Sequence, residues 1–404
     1  LVASTADTGD RISRPDLARV LAELAEGGRD AFYQGRFGAA LVEVGSGEYD
    51  DADLARSQAE WVTPLALRVW GHGLWTVPPP SQGYLALAAA RIAELAGDRL
   101  AGLAPDGGRR DRDGPSGAFA DPDRWAASNA SGSRSGILGE LPDPDDPAWP
   151  HLLIEASRLA AEDRLARLHD GADGAALLAE DRLQQRADRF DPASTAGAWG
   201  PAEIGDTMYL CAVDAEGMGV SLIQSNAKDF GCRVAVPGTG ILLHNRGTGF
   251  SLEAGHPAEY APGRQPPHTL SPAMATRPDG TLRALLGTMG GDSQPQVVLQ
   301  MAARLLAGNQ EAGDIIQAPR FVLSRPLGTG FDTWTDPSTQ VVRIEEHAPP
   351  SWASGLKQRG HRVDVAGFDP AGFGHAQLIE VRPDGIRSGA ADPRSMTGAA
   401  VAAV

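Results

Sequence analysis

The tripeptide Gly205-Asp206-Thr207 stands where a β-prone apolar run begins, and it contains a residue suited to nucleophilic chemistry. A threonine hydroxyl is a poor nucleophile at its own pKa and needs an adjacent base. If the bond before Thr207 is cut, the new α-amino group, with a pKa of about 7.7–8.0, can act as that base near neutral pH. Nucleophile and base then belong to one residue. Taken alone, a threonine at a strand start is more often structural, because β-branched residues favour strands.

The strand that Thr207 begins is predicted to form a hairpin with the next strand. The β-prone runs at residues 207–213 and 220–225 flank Asp214-Ala215-Glu216-Gly217, which has the composition of a turn. A four-residue loop there puts Thr207 opposite Gln224 and next to Ser225. The Ser225 hydroxyl is therefore the predicted partner that holds the Thr207 hydroxyl and amine in position.

A glycine-rich segment, residues 287–293, follows a predicted strand at 282–286 and precedes a predicted helix near residue 296. Adjacent glycines such as Gly290 and Gly291 let backbone N–H groups approach a reacting oxygen closely, as an oxyanion hole requires. An ordinary strand-to-helix turn has the same spacing, and spacing alone favours that simpler interpretation.

Composition excludes several classes of function. The 404 residues carry 36 basic and 52 acidic side chains, for a net charge of −16, and no basic stripe interrupts that acidic balance. A nucleic-acid partner is therefore not expected. No uncharged apolar stretch approaches the roughly 20 residues that a membrane-spanning helix needs, so no membrane span is predicted.

The cysteines and histidines give no sign of a metal site. The two cysteines, Cys211 and Cys232, are too few for a disulfide framework, and their pairing is left open. The histidines are scattered, with no HExxH or CxxC spacing, which argues against a structural zinc ion. No metal or organic cofactor is expected, because the threonine chemistry needs none.

The order of elements predicts an α+β fold. Helical periodicity covers residues 14–44, with a break at Gly27-Gly28, and returns at 82–96 and 151–190. Residues from about 104 to 149 are rich in Gly, Asp, Arg, Pro and Ser and are predicted to be an exposed insertion. From Thr207 onward short strands dominate, which indicates sheets covered by helices rather than alternating βαβ units.

Motifs along nearly the whole chain resemble the γ-glutamyltransferase family. Each is modest, but their order and spacing together are specific. They are Ala25-Glu26-Gly27-Gly28-Arg29-Asp30-Ala31-Phe32-Tyr33-Gln34-Gly35, Pro78-Pro79-Pro80-Ser81-Gln82-Gly83, Ile154-Glu155-Ala156, Gly205-Asp206-Thr207, Phe230-Gly231, Gly240-Ile241-Leu242-Leu243, Gly290-Gly291, Ala318-Pro319-Arg320-Phe321 and Asp392-Pro393-Arg394-Ser395.

This resemblance implies a four-layer αββα sandwich of the N-terminal-nucleophile hydrolase type. It implies a precursor that cleaves itself into a large-subunit portion, residues 1–206, and a small catalytic subunit, residues 207–404. Thr207 would be the nucleophile and Ser225 the second hydroxyl that hydrogen-bonds it. Gly290 and Gly291 would build the oxyanion hole, and the self-derived subunits could assemble further.

Departures from the family pattern point to its acylase and amidohydrolase branch. Ala227, Arg246 and Gly249 stand where true γ-glutamyltransferases hold the substrate with Asn, Gln and Asp, and His268-Thr269 replaces the paired serines. The acidic group that should meet an α-ammonium is absent. Arg246 can pair with a substrate carboxylate, or it is a surface arginine in a loop.

The leading interpretation is thus an amide hydrolase or acyltransferase acting on a small amide that bears a carboxylate, with Arg246, His268 and Thr269 contacting it. A true γ-glutamyl transpeptidase that hydrolyses glutathione and a non-catalytic binding protein are the alternatives. Cytoplasmic location is favoured, because residues 1–10 lack a signal-type start. Family members extend further upstream, so the chain is expected to begin inside the helical half.

Overall fold

The computed structural model describes residues 10–100, 141–195, 207–324, 340–369 and 372–402. Gly205, Asp206 and most of the insertion predicted at 104–149 lie outside the described residues. The end of that insertion differs from the prediction. Trp149 belongs to a helix and is only 1% exposed, because its indole stacks on Trp352 with 5.6 Å between the ring centroids.

Helices and strands are numbered here in chain order. The helices are α1 Pro15–Tyr33, α2 Arg36–Gly45, α3 Asp51–Ala55, α4 Tyr84–Leu100, α5 Ala148–Ala161, α6 Arg164–Arg167, α7 Gly174–Leu177, α8 Glu180–Ala187, α9 Gln294–Ala302, α10 Ala312–Gln317 and α11 Pro350–Gln358. The strands are β1 Leu65–Val69, β2 His72–Thr76, β3 Thr207–Val213, β4 Gly219–Ser225, β5 Ala235–Val236, β6 Ile241–Leu242, β7 Ala273–Thr276, β8 Leu282–Thr288, β9 Phe321–Ser324, β10 Val341–Glu345, β11 Val363–Ala366, β12 Ala376–Val381 and β13 Arg387–Ala391.

The chain divides into two compact units, and the smaller one comprises the residues up to Trp61 together with Asn226–Arg246. Helices α1 to α3 and the β5–β6 pair form it around a small core of Phe37, Leu41, Leu54 and Val236. Gly28 has a φ of 63° inside α1, so the predicted break is present as a kink.

The larger unit contains a six-stranded sheet in the order β1-β2-β7-β8-β12-β13, in which every neighbouring pair is antiparallel. A second sheet has the order β11-β10-β9. The antiparallel pairing in the six-stranded sheet agrees with the prediction of sheets covered by helices, and the observed class is α+β. The second sheet differs from that prediction, because β10 and β11 are parallel and are joined through α11 as a βαβ unit.

Strand β8 separates two layers that pack on opposite faces of the six-stranded sheet. Ala284 and Leu286 point into the main core, which includes buried side chains of α4, α5 and α9. Leu285 and Gly287 alternate with them and face the β3–β4 hairpin. A β-carbon at Gly219 of the hairpin would touch Leu285, and a β-carbon at Gly287 would touch the ring of Tyr209 in β3. Around β8 the described residues therefore form three layers: helices, the six-stranded sheet and the two-stranded β3–β4 sheet.

The outer face of the hairpin is apolar and exposed. Met208, Leu210, Val220 and Leu222 alternate with the inward-facing residues and are each 43–54% exposed. A helix layer over this face, the fourth layer of the predicted sandwich, is not seen among the described residues. None of the described helices has the length and apolar character needed to cross a bilayer.

Helical periodicity predicted at 151–190 corresponds to four separate helices, α5 to α8. The breaks have local causes: Gly171 takes a φ of 77°, and the Asp173 side chain caps α7 by accepting from the N–H of Ala176. The helix predicted near 296 is α9, which continues as a π-helical turn at Ala303–Ala307.

Candidate active site

The β3–β4 hairpin places the predicted nucleophile, with a corrected register. The N–H of Asp214 bonds to the carbonyl of Met218 at 3.1 Å, and Gly217 takes a φ of 91° between them. The loop therefore has three residues closed by a glycine in the left-handed region, not the predicted four. Thr207 lies opposite Ser225 instead of Gln224, since a one-residue shift exchanges every cross-strand partner.

Thr207 and Ser225 are the predicted site residues that the structure brings into direct contact. The Oγ1 of Thr207 donates a hydrogen bond to the Oγ of Ser225 at 3.1 Å, and both residues are half-buried. Because the two residues are directly paired, their side chains emerge on the same face of the hairpin. The hydroxyl of Ser225 can therefore orient the hydroxyl of Thr207.

Tyr209 anchors the start of β3 on the six-stranded sheet. Its ring lies over Gly287, near the end of β8, and its OH is 2.8 Å from the Oγ of Ser221. Burial raises the pKa of Tyr209 well above its usual value. At the other end of the hairpin Gly219 lies against Leu285, earlier in β8, so Thr207 is at the end of the sheet where β8 runs into the glycine loop.

Gly290 and Gly291 form that loop and lead through a 3₁₀ turn, Gly291–Ser293, into α9. Both have positive φ, 133° and 55°, which disfavours residues with a side chain. Neither N–H group donates to an acceptor within the described residues. The adjacent helix N-terminus adds partial positive charge, so the arrangement can stabilise a developing negative oxygen.

The predicted substrate residues lie in two places. His268 forms a bridge with the segment before α4, because its N–H donates to Pro80 and its carbonyl accepts from the N–H of Gln82. Thr269 is only 2% exposed. Arg246 ends the smaller unit, and its backbone N–H donates to the Nδ1 of His244 at 3.2 Å. Their contacts with substrate remain predictions.

Three polar side chains around the glycine loop were not singled out from the sequence. Thr288, Ser293 and Gln82 each hydrogen-bond a backbone carbonyl of residues 289–291. All three lie within stretches recognised above for their glycines or prolines. The sequence could have indicated these residues only because they are polar at positions where the neighbouring apolar residues predict burial.

A buried cluster of His151, Glu155 and His361 has donor types that suit a metal ion. Arg158 can only donate, so its bond to the Nδ1 of His361 leaves the His361 proton on Nε2. That proton goes to the Nδ1 of His151, whose own Nε2 proton goes to the carbonyl of Asp191. Both imidazole lone pairs are therefore occupied, and a guanidinium lies beside them, which disfavours a cation.

The two cysteines are both free thiols, so the open question of a bridge is answered. Burial raises the pKa of Cys211 to about 11, which keeps this thiol protonated near neutral pH. Cys211 is therefore not an activated nucleophile.

The chain belongs to the gamma-glutamyltranspeptidase family, since the sequence model described as Gamma-glutamyltranspeptidase matches residues 3–104 and 139–402. It is 33% identical over 401 residues to the oxamate amidohydrolase proenzyme of Klebsiella pneumoniae, covering 97% of this chain and 66% of the relative. It is 31% identical over 405 residues to the glutathione hydrolase-like YwrD proenzyme of Bacillus subtilis, with the same coverages of 97% and 66%. The chain thus spans about two thirds (66%) of these relatives.

A solved structure supports the same assignment. The cephalosporin acylase of Bacillus halodurans superposes with a TM-score of 0.76 at 27% identity, covering 98% of this chain and 64% of that one. Together with the amidohydrolase relative, this similarity confirms the prediction that the chain is related to the acylase and amidohydrolase branch of the family.

Proposed function

We propose that this protein is an amide hydrolase or acyltransferase that cleaves its own chain before Thr207 and then uses that threonine as the nucleophile. The observation that carries the proposal is the 3.1 Å hydrogen bond from Thr207 Oγ1 to Ser225 Oγ, at the first residue of β3. The relatives whose names include the word proenzyme support self-processing.

In the proposed reaction the Thr207 hydroxyl attacks the amide carbonyl carbon while the Thr207 α-amino group takes the hydroxyl proton. A C–O bond forms, and the carbonyl electron pair moves to the oxygen, where the N–H groups of Gly290 and Gly291 stabilise it. The C–N bond then breaks, and the leaving amine takes the proton from the Thr207 ammonium. Water or an acceptor amine then attacks the ester carbonyl carbon and gives a proton to the Thr207 α-amino group. The C–O bond to Thr207 breaks, the Thr207 oxygen takes that proton back, and the acyl group leaves on the acceptor.

Cleavage at this position gives the fragments 1–206 and 207–404, and the sheet explains why they would stay together. Strand β2 pairs with β7 over Gly73–Thr76 and Ala273–Thr276, and these strands lie on opposite sides of the cleavage site in the sequence. We also propose that a second helix layer covers the apolar face of the hairpin and completes the αββα sandwich, because an exposed apolar face of this kind is normally buried.

The proposed substrate is a small amide that carries a carboxylate. Support comes from the amidohydrolase relative, because oxamate itself combines an amide with a carboxylate. Arg246, whose guanidinium can pair with a carboxylate, and the polar residues His268 and Thr269 are the proposed contacts. The family position of Arg246 supports this role.

The test begins with denaturing gel electrophoresis of the purified protein and of Thr207→Ala. We expect two fragments from the parent protein, one with the N-terminal sequence Thr-Met-Tyr-Leu, and a single inactive chain from the variant. Gln224→Ala is the matched control, since Gln224 is exposed on the outer face of β4. A processed or active Thr207→Ala protein would overturn the proposal.

The substrate class is tested on the processed protein with p-nitroanilides. Release of p-nitroaniline from a glutaryl anilide but not from a γ-glutamyl anilide supports the acylase-type assignment. The reverse preference supports a true γ-glutamyl transpeptidase. An uncut protein that hydrolyses neither anilide supports a non-catalytic binding role.

A further inference from the structure

We propose that Thr288, Ser293 and Gln82 are positioning residues of the glycine loop: Thr288 and Ser293 fix the directions of the N–H groups of Gly290 and Gly291, and Gln82 holds the peptide plane that follows them. The inference rests on the proposed function, in which these N–H groups stabilise the negative oxygen of the reaction. Two consecutive glycines have no side chains to restrain them, so their peptide planes can rotate unless other groups hold them.

Thr288 sets the direction of the first N–H group. Its Oγ1 donates to the carbonyl of Met289 at 2.6 Å, and the residue is fully buried. The peptide unit between Met289 and Gly290 is planar and trans, so its N–H points opposite to its carbonyl. A hydroxyl that holds the Met289 carbonyl therefore also aims the N–H of Gly290.

Ser293 sets the second N–H group in the same way. Its Oγ donates to the carbonyl of Gly290 at 2.8 Å, and its backbone N–H donates to the same oxygen at 3.0 Å. The N–H of Gly291 shares that peptide plane and points away from Ser293. Two donors on one carbonyl leave this plane little freedom to rotate.

Gln82 holds the third carbonyl through a buried polar chain. Its Nε2 donates to the carbonyl of Gly291 at 3.2 Å, and its Oε1 accepts from the Nε of Arg164 at 3.1 Å. Arg164 in turn lies 3.3 Å from the Oδ1 of Asp292. Rotation of the Gly291 carbonyl would break a chain that includes a buried charge, which is costly.

The same glutamine connects the loop to the predicted substrate segment, since its backbone N–H donates to the carbonyl of His268 at 2.9 Å. Donors that are already aimed at the reacting oxygen need no reorganisation during the reaction, which is the main source of catalysis by such groups. Loss of a positioning bond should therefore lower kcat more than it raises KM.

The experiment compares Thr288→Val, Thr288→Ser, Ser293→Ala and Gln82→Met in the processed protein. We expect kcat for the anilide to fall about 10-fold in the valine, alanine and methionine variants, with KM changed by no more than about twofold. Thr288→Ser keeps the hydroxyl and should restore kcat. Matched controls are Thr239→Val and Ser157→Ala, which remove buried hydroxyls that donate to the backbone carbonyls of Val236 and Leu153.

A second readout does not depend on activity. Hydrogen–deuterium exchange of the peptide covering residues 288–293 should become faster in Thr288→Val and Ser293→Ala but not in the two controls. Unchanged exchange, or a kcat loss that Thr288→Ser fails to restore, overturns the positioning role. If the parent protein is uncut and inactive, the proposed function fails, while the exchange result still decides whether these side chains hold the loop.

Discussion

The ring of Tyr209 lies directly against Gly287: a β-carbon at position 287 would be 2.3 Å from Cε2 of the tyrosine. This close approach of β3 to β8 requires glycine, since a methyl group has no room there. It also links the proposed nucleophile to the glycine loop, because Tyr209 is two residues after Thr207 and Gly287 is three residues before Gly290.

Gly287→Ala is expected to push the start of β3 away from the sheet. Overpacking of this kind costs about 1–3 kcal/mol, so thermal unfolding should occur at a lower temperature, and the fraction of self-cleaved chain should fall. Gly313→Ala is the control, since Gly313 is in α10 with open space around it. A Gly287→Ala protein that melts and processes like the parent would show that the hairpin does not depend on this contact.

Ser225→Ala should slow both self-cleavage and amide hydrolysis without preventing folding. The alanine removes the acceptor of the 3.1 Å bond from Thr207, and a neutral hydrogen bond is worth about 0.5–1.5 kcal/mol, which corresponds to a rate loss of up to about 10-fold. Time courses on denaturing gels and anilide hydrolysis measure the two rates. Equal rates in Ser225→Ala and Gln224→Ala would contradict the role of this hydroxyl.

Arg246→Gln should raise KM for an anilide that bears a carboxylate. Loss of a charge-assisted hydrogen bond costs about 1.5–3 kcal/mol, so the expected increase is from about 10-fold to about 100-fold. KM for the matching neutral carboxamide should not change, which provides the control within one variant. An equal effect on both substrates would place the Arg246 side chain away from the carboxylate.

The free energy of unfolding should decrease in acid because of His361. Burial, and then the charges of Arg158, His151 and Arg359, lower the pKa of His361 to about 2, whereas an unfolded histidine has a pKa of about 6.5. Below pH 6.5 the unfolded chain therefore takes up a proton that the native protein does not. The loss is up to about 1.4 kcal/mol for each pH unit. The Glu155 carboxylate also lies near this imidazole, 3.9 Å from its Nε2, and it forms an ion pair with Arg158.

This acid sensitivity is measured by urea unfolding of the Thr207→Ala protein between pH 7 and pH 5. That variant is expected to be a single uncut chain, so its unfolding does not involve the dissociation of two fragments. His361→Gln in that background should unfold with a shallower pH dependence, because one of the two buried imidazoles is gone. His347→Gln, at an exposed histidine, is the surface control. The same slope with and without His361 would disprove the assignment.

Much of the strand-rich half was predictable from residue type, and the errors have physical causes. The apolar run from Thr207 to Val213 is β3 as predicted, but the left-handed Gly217 shortened the loop and moved the partner of Thr207 to Ser225. Loop conformation, not strand propensity, sets the register of a hairpin.

Other elements gave little signal of their own. Strand β7, Ala-Met-Ala-Thr, has small side chains, and its extended form is imposed by the neighbouring strands β2 and β8. The bonds from Thr288, Ser293 and Gln82 to loop carbonyls depend on side-chain positions that spacing does not encode. For these residues tertiary packing determines the structure.

In a chain without the proposed covering helix layer, the apolar side of the hairpin, with Met208 and Leu222 among its residues, is open to other copies in solution. A net charge of −16 keeps them apart at low ionic strength, since like charges repel over roughly 30 Å at 0.01 M salt. Added salt shortens that range to about 8 Å at 0.15 M, while the attraction between apolar patches persists. The colloidal behaviour of the chain should therefore turn from mutual repulsion to clustering as salt is raised.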